Sequence, residues 1–205
     1  MTPRLLTASF LAVACPVTAA PIPADAKAPP LYFPTVVGAK WVYERGLGAS
    51  ETVVVASVEK VGNDMVISRA GADGTTIVYA KVVVSPAGLR QDRDVTTGQL
   101  GEVWLLKTPF RSGESWVIPV EVGGGRRTVS GPDRVDVPAG QFLAAKVVYE
   151  RGGSQLTSWY APGVGEVKRV ERLADGTETV TRSLRSFTQG NTHTGRRLPD
   201  AGDVV

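Results

Sequence analysis

The residues able to do acid, base or nucleophilic work are few. The chain has one His, His193, and one Cys, Cys15. His193 sits in a polar stretch near the C-terminus and Cys15 in an apolar run near the N-terminus, so a Ser-His-Asp arrangement would have to recruit a tail residue. No Gly-x-Ser-x-Gly elbow occurs, and Gly152-Gly153-Ser154 reads as a hairpin turn. Zinc sites need His and Cys at close spacing, so no metal site is expected. Gln91-Asp92-Arg93-Asp94 holds two acids, too few for a calcium loop. Gly123-Gly124-Gly125-Arg126-Arg127 lacks the Gly-Lys-Ser/Thr ending of a phosphate loop. A hydrolase built on a carboxylate pair is an alternative, with Glu44 and Asp64 or Asp92 and Asp94. It needs two carboxyls about 5–9 Å apart.

The aromatic residues remain. Trp41, Tyr43, Tyr79, Trp104, Trp116, Tyr149 and Trp159 can fill a core or line a ligand face. The run 77–84 is apolar at successive positions: Ile77, Tyr79 and Val83 oppose Val78, Ala80, Val82 and Val84. Such a strand is covered on both faces, or turns one face to a ligand.

The elements that would position these side chains are strands. Val occurs in runs (53–55, 82–84), and no long stretch repeats apolar residues at helical spacing. Turn signals recur at short intervals: Ala72-Asp73-Gly74, Val137-Pro138-Ala139-Gly140, Gly152-Gly153, Pro162-Gly163 and Asp175-Gly176. Pro119 demotes the alternating run Trp116, Ile118, Val120, Val122 to an edge strand or a bulge. The pattern predicts an all-β fold of about ten consecutive antiparallel strands over residues 31–188.

A repeat lies within this pattern. Pro34, Gly38, Trp41 and Val42 return 75 residues later as Pro109, Gly113, Trp116 and Val117. The corner at 85–90 likewise returns at 161–165. This spacing predicts two similar halves in tandem.

The N-terminus reads as an export signal, residues 1–20, with a basic start at Arg4 and an apolar run over 5–17. Cleavage after Ala19 is one outcome. Acylation of Cys15, in the lipobox-like run Leu11-Ala12-Val13-Ala14-Cys15, is the other. A Pro-rich tether follows at 21–30, and 189–205 reads as a disordered polar tail. Residues beyond the leader hold no Cys pair, so no disulfide is expected. A net charge of +3 on 205 residues, with acids among the bases, shows no stripe for nucleic acid.

Three segments resemble a broad set of exported bacterial proteins of unknown function. Phe33-Pro34 with Gly38, Trp41 and Tyr43 is similar to their F-P-x-x-x-G-x-x-W-x-Y opening. Val137-Pro138-Ala139-Gly140-Gln141-Phe142 resembles a V-P-A-G-x-F segment. Trp159 to Lys168 resembles W-Y-A-P-G-V-G-x-V-K. Thr35 departs from the Leu usual after Phe-Pro. The resemblance implies a large curved antiparallel sheet, a half-barrel or open barrel akin to lipoprotein carriers such as LolA. It brings no catalytic residue.

The expectation is a non-enzymatic, exported periplasmic or cell-envelope domain without a cofactor. It binds or scaffolds, with an apolar or lipid-like ligand on the concave face or another envelope protein as partner. Membrane attachment would come only through an anchor at Cys15. A purely structural or interaction module is an alternative.

Overall fold

The computed structural model describes residues 30–71, 78–94 and 99–190. The expected leader, Cys15, nearly all of the tether, His193, most of the tail and the Ala72-Asp73-Gly74 turn lie outside them.

Twelve strands form one antiparallel sheet. They are β1 (Lys40–Glu44), β2 (Ser50–Val61), β3 (Asp64–Gly71), β4 (Val78–Ser85), β5 (Gly88–Asp94) and β6 (Gln99–Lys107), then β7 (Ser115–Val117), β8 (Arg126–Val137), β9 (Gly140–Arg151), β10 (Ser154–Ala161), β11 (Gly165–Arg172) and β12 (Glu178–Thr188). The sheet order is β6-β5-β4-β3-β2-β1-β12-β11-β10-β9-β8-β7. Each half is therefore a six-stranded meander, and β1 and β12 join them.

Two strand assignments differ from expectation. Residues 88–94 form β5, a strand not expected from the polar run Gln91-Asp92-Arg93-Asp94. Leu89 and Gln91 are buried and set the strand's inner face; a polar composition hid it. In the other case β7 stops at Val117, and Pro119 leads into a 3-10 turn over Val120–Val122. Pro119 has no N–H to continue a ladder, and Gly123, Gly124 and Gly125 all take positive φ. β7 is an edge strand, as Pro119 requires.

The two halves share a corner bond for bond. Gly38 N–H donates to Val55 O and Gly113 N–H to Val129 O. Ala39 N–H donates to Val36 O and Glu114 N–H to Arg111 O. Val55 N–H closes on Ala39 O and Val129 N–H on Glu114 O. Gly38 and Gly113 have φ of 81° and 88°. Trp41 and Trp116, which follow these corners, are both buried. The second corner is also shared, since the β4–β5 and β10–β11 turns occupy equivalent places in the meanders. Pro162-Gly163 forms a type II turn, with Gly163 at φ 72° and Val164 N–H on Ala161 O.

The sheet curls on itself. Ala139 N–H, in the β8–β9 turn, donates to Leu184 O of β12. The sheet's two outer strands also meet: Trp116 Nε1 (3.3 Å) and Arg127 Nη1 (2.6 Å) both donate to Trp104 O of β6. No β6–β7 ladder forms, so the barrel stays open along that seam. Inside the curl Trp41, Val55, Ile67, Val82, Val84, Leu89, Leu106, Val129 and Leu184 are fully buried. Burying each such side chain contributes about 1.5–3 kcal/mol, and this closes the sheet over its own inner face. Phe33 caps the core beside Trp41, 5.2 Å between ring centroids.

Candidate binding site in the interior of the sheet

Directly paired residues share a face, so the register sorts side chains into inner and outer rows. One inner row runs Val129, Val147, Ser158, Arg169, Arg182 across β8 to β12. Beside it run Arg127, Tyr149, Leu156 and Glu171. Leu184, Tyr43 and Glu51 continue the inner face through β12, β1 and β2. Four strands thus bring arginines or glutamates inward.

Glu166 is the hub. The ladder slips between Trp159 and Tyr160, which turns Glu166 inward opposite Tyr160. Its carboxylate accepts from Ser158 Oγ (2.7 Å), Arg169 Nε (2.7 Å), Arg169 Nη2 (2.8 Å) and Arg182 Nη1 (3.0 Å). Arg182 Nη2 donates to both oxygens of Glu51 (2.9 and 2.7 Å), and its guanidinium lies 4.8 Å from the Tyr43 ring centroid. Tyr43 Oη donates to the Glu166 backbone carbonyl (2.8 Å), and Trp41 Nε1 to Val164 O (2.7 Å). Burial alone would raise the Glu166 pKa, but the charges of Arg169 and Arg182 and the bonds from Arg169 and Ser158 lower it to about 2. Burial pushes the Tyr43 and Tyr160 phenols up, so both stay neutral.

Exposure is graded along the interior. The Glu166 side chain is 9% exposed, Arg182 14%, Glu51 22% and Arg169 32%. Solvent therefore reaches the inner face near Arg169. The turns 45–49, 118–125, 152–153 and 173–177 share this end. The opposite end is closed by Phe33, Val84, Leu89, Leu106, Val135 and Ala144, all buried. At the open end a groove of about 450 Å³ lies between the β9–β10 and β11–β12 turns, lined by Glu150, Arg151, Gln155 and Arg172 among others. Glu150, Gln155 and Arg172 pair in a row that alternates with the inward Tyr149, Leu156 and Glu171, so this groove opens on the outer face.

The aromatic candidates do not share one face. Trp41, Tyr43, Trp116 and Tyr149 lie inside. Trp104 and Trp159 are corrections: both are on the outer face. Trp159 pairs with Lys146 and Lys168, whose ammonium groups lie 6.0 and 5.8 Å from its ring centroid. Trp104 pairs with Arg90, which bonds Glu102 and Asp64. Trp159 follows the unbroken alternation of β10, whose Leu156, Ser158 and Tyr160 face inward, whereas the extra residue Leu105 in β6 sets Trp104 opposite in face to Leu106. Tyr79 is in β4, with its side chain outside the described residues. The proposed carboxylate pair Glu44 and Asp64 is also a correction. Glu44 pairs with Ser50 and Asp64 with Val61, at opposite ends of β2. Asp92 is exposed on β5, and the Asp94 side chain lies outside the described residues.

Composition and motif spacing passed over Glu51, Arg127, Ser158, Glu166, Arg169 and Arg182. A bulged strand hides its inward charges from a period-two reading.

No family model matches the chain, and no curated protein does. Two solved structures are similar. One, from Parabacteroides distasonis and described as a lipoprotein candidate, is 15% identical with a TM-score of 0.46; the match covers 78% of this chain and 99% of that one. The other, from Bacteroides fragilis, is described as an exported-protein candidate with a YmcC-like fold. It is 14% identical with a TM-score of 0.48, over the same shares.

Proposed function

We propose that this chain is a non-enzymatic β-domain of the cell envelope that holds a small ligand at the open end of its interior. The single observation that carries this reading is the exposure gradient. The inner face is filled at one end, and at the other it keeps Arg169, Glu51 and Tyr149 within reach of solvent. Concave surfaces with a few convergent polar groups on an apolar floor suit small-molecule binding. The export-type N-terminus supports an envelope location, with a membrane anchor only if Cys15 is acylated.

A ligand here would be amphiphilic rather than wholly apolar. Leu156 and Val147 neighbour Tyr149 and Ser158 on the inner rows, so apolar and hydroxyl-bearing side chains alternate within one reach. Native mass spectrometry of protein purified from its own host tests this. The expected spectrum carries an added mass that leaves on denaturation. A clean polypeptide mass, with no rise in unfolding temperature across a panel of charged and neutral amphiphiles, would sink the reading.

An interaction surface on the convex face is the second reading. Trp159 between Lys146 and Lys168 favours it, because this pairing joins apolar area to positive charge. Trp159→Ala should leave the ligand mass in place and weaken only partner capture.

A further inference from the structure

We propose that the open end of the interior binds an oxyanion, a carboxylate or phosphate group, at Arg127. This rests on reading the interior as a binding surface and names the chemistry that it selects.

Arg127 carries an uncompensated charge. Among the described residues it makes no ion pair. Its Nη1 donates to Trp104 O, and its guanidinium lies 5.3 Å from the Tyr149 ring centroid. Its Nε is buried with no acceptor. Burial lowers its pKa, and the Arg169 charge adds to that, so the two guanidinium groups feel each other's repulsion. Glu166, the carboxylate acting on both, is already shared by Arg169 and Arg182. Glu171, on the same inner face, forms no ion pair with either.

Donors remain for a ligand. Arg127 keeps Nη2 and Arg169 keeps Nη1, neither of which has an acceptor among the described residues. Neither nitrogen is among the buried atoms without a partner, so both touch solvent. An anion on Arg127 Nη2 would form a charge-assisted bond and offset the positive charge gathered on this face. A buried cation without a counterion is costly, and an anion offsets that cost.

Isothermal titration of the full chain tests this with three probes: inorganic phosphate, soluble dihexanoyl phosphatidate and neutral monodecanoin. The expected result is binding of phosphate, phosphatidate or both. Phosphatidate alone identifies an amphiphile's head group; phosphate at equal affinity identifies a free anion. Arg127→Gln should weaken that binding about tenfold or more, and Lys60→Gln, exposed near the far end of β2, should not. Arg127→Lys, which keeps the charge, should restore part of it. Circular dichroism confirms that each variant is folded. If Arg127→Gln disturbs the fold, Arg127→Lys is read alone, and loss of the planar fork should still weaken binding relative to the native protein. Binding of monodecanoin alone would overturn the oxyanion site and leave interior binding standing. No binding of any probe would overturn both. Unchanged affinity in folded Arg127→Gln would overturn the role of Arg127.

Discussion

Glu166 illustrates how a single carboxylate can organise a β interior. Four donors from three residues converge on it, and two of those residues are arginines. Removing a buried ion-pair partner leaves uncompensated charge, so Glu166→Gln should destabilise the protein by about 3–5 kcal/mol in urea unfolding. The pH dependence has a definite sign. The folded carboxyl titrates at about 2 against 4.5 for an ordinary one. Its stabilising contribution is therefore complete above pH 4.5 and is lost as pH falls towards 2. The stability gap between the native protein and Glu166→Gln should narrow across that window. A gap constant from pH 6 to pH 2 would show that the network does not hold the charge as described.

Glycines at the corners and turns divide into two kinds. Gly38 and Gly113 need positive φ, and a Cβ at either meets nothing within 4 Å. Replacing either by Ala adds only conformational strain, about 1 kcal/mol. The two substitutions should cost nearly the same, because the corners carry the same three hydrogen bonds. Gly125 differs. A Cβ there would stand 2.5 Å from Glu150 O and 2.7 Å from Tyr149 Cε2. Gly125→Ala should therefore cost more than Gly38→Ala in thermal unfolding. It should also disturb Tyr149, whose Oη donates to Gly124 O. Equal losses at the two sites would mean that the β7–β8 connection yields without moving the inner face.

For the molecule as a whole the seam between β6 and β7 is the weak line. Every other neighbouring pair of strands shares a ladder, whereas this pair meets through side chains on Trp104 O. Trp116→Phe keeps a smaller aromatic ring but removes the Nε1 donor and part of the buried surface, at a cost of at least about 0.5–1.5 kcal/mol. Hydrogen exchange should then quicken in β6 and leave β1 and β12, at the centre of the sheet, unchanged. Uniform quickening across the sheet would show that the seam is no more labile than the rest.

Local chemistry was legible in the amino-acid sequence. Pro162-Gly163 carries its turn, Pro119 ends a ladder, and the Gly–Trp spacing marks two corners that do fold alike. These follow from backbone constraints that act within a few residues. The strand built from Gln91, Asp92 and Arg93 was not legible, because pairing on both sides overrode its polar composition. Nor was the assignment of faces. Extra residues in β6, β11 and β12 turn side chains over, so Trp104 went outside while Glu166, Arg169 and Arg182 all went in, and Trp159 went outside on the plain alternation of β10. The convergence of those charges from β2, β11 and β12 was decided only by the curl of the sheet, which brings together residues as distant as Glu51 and Arg182.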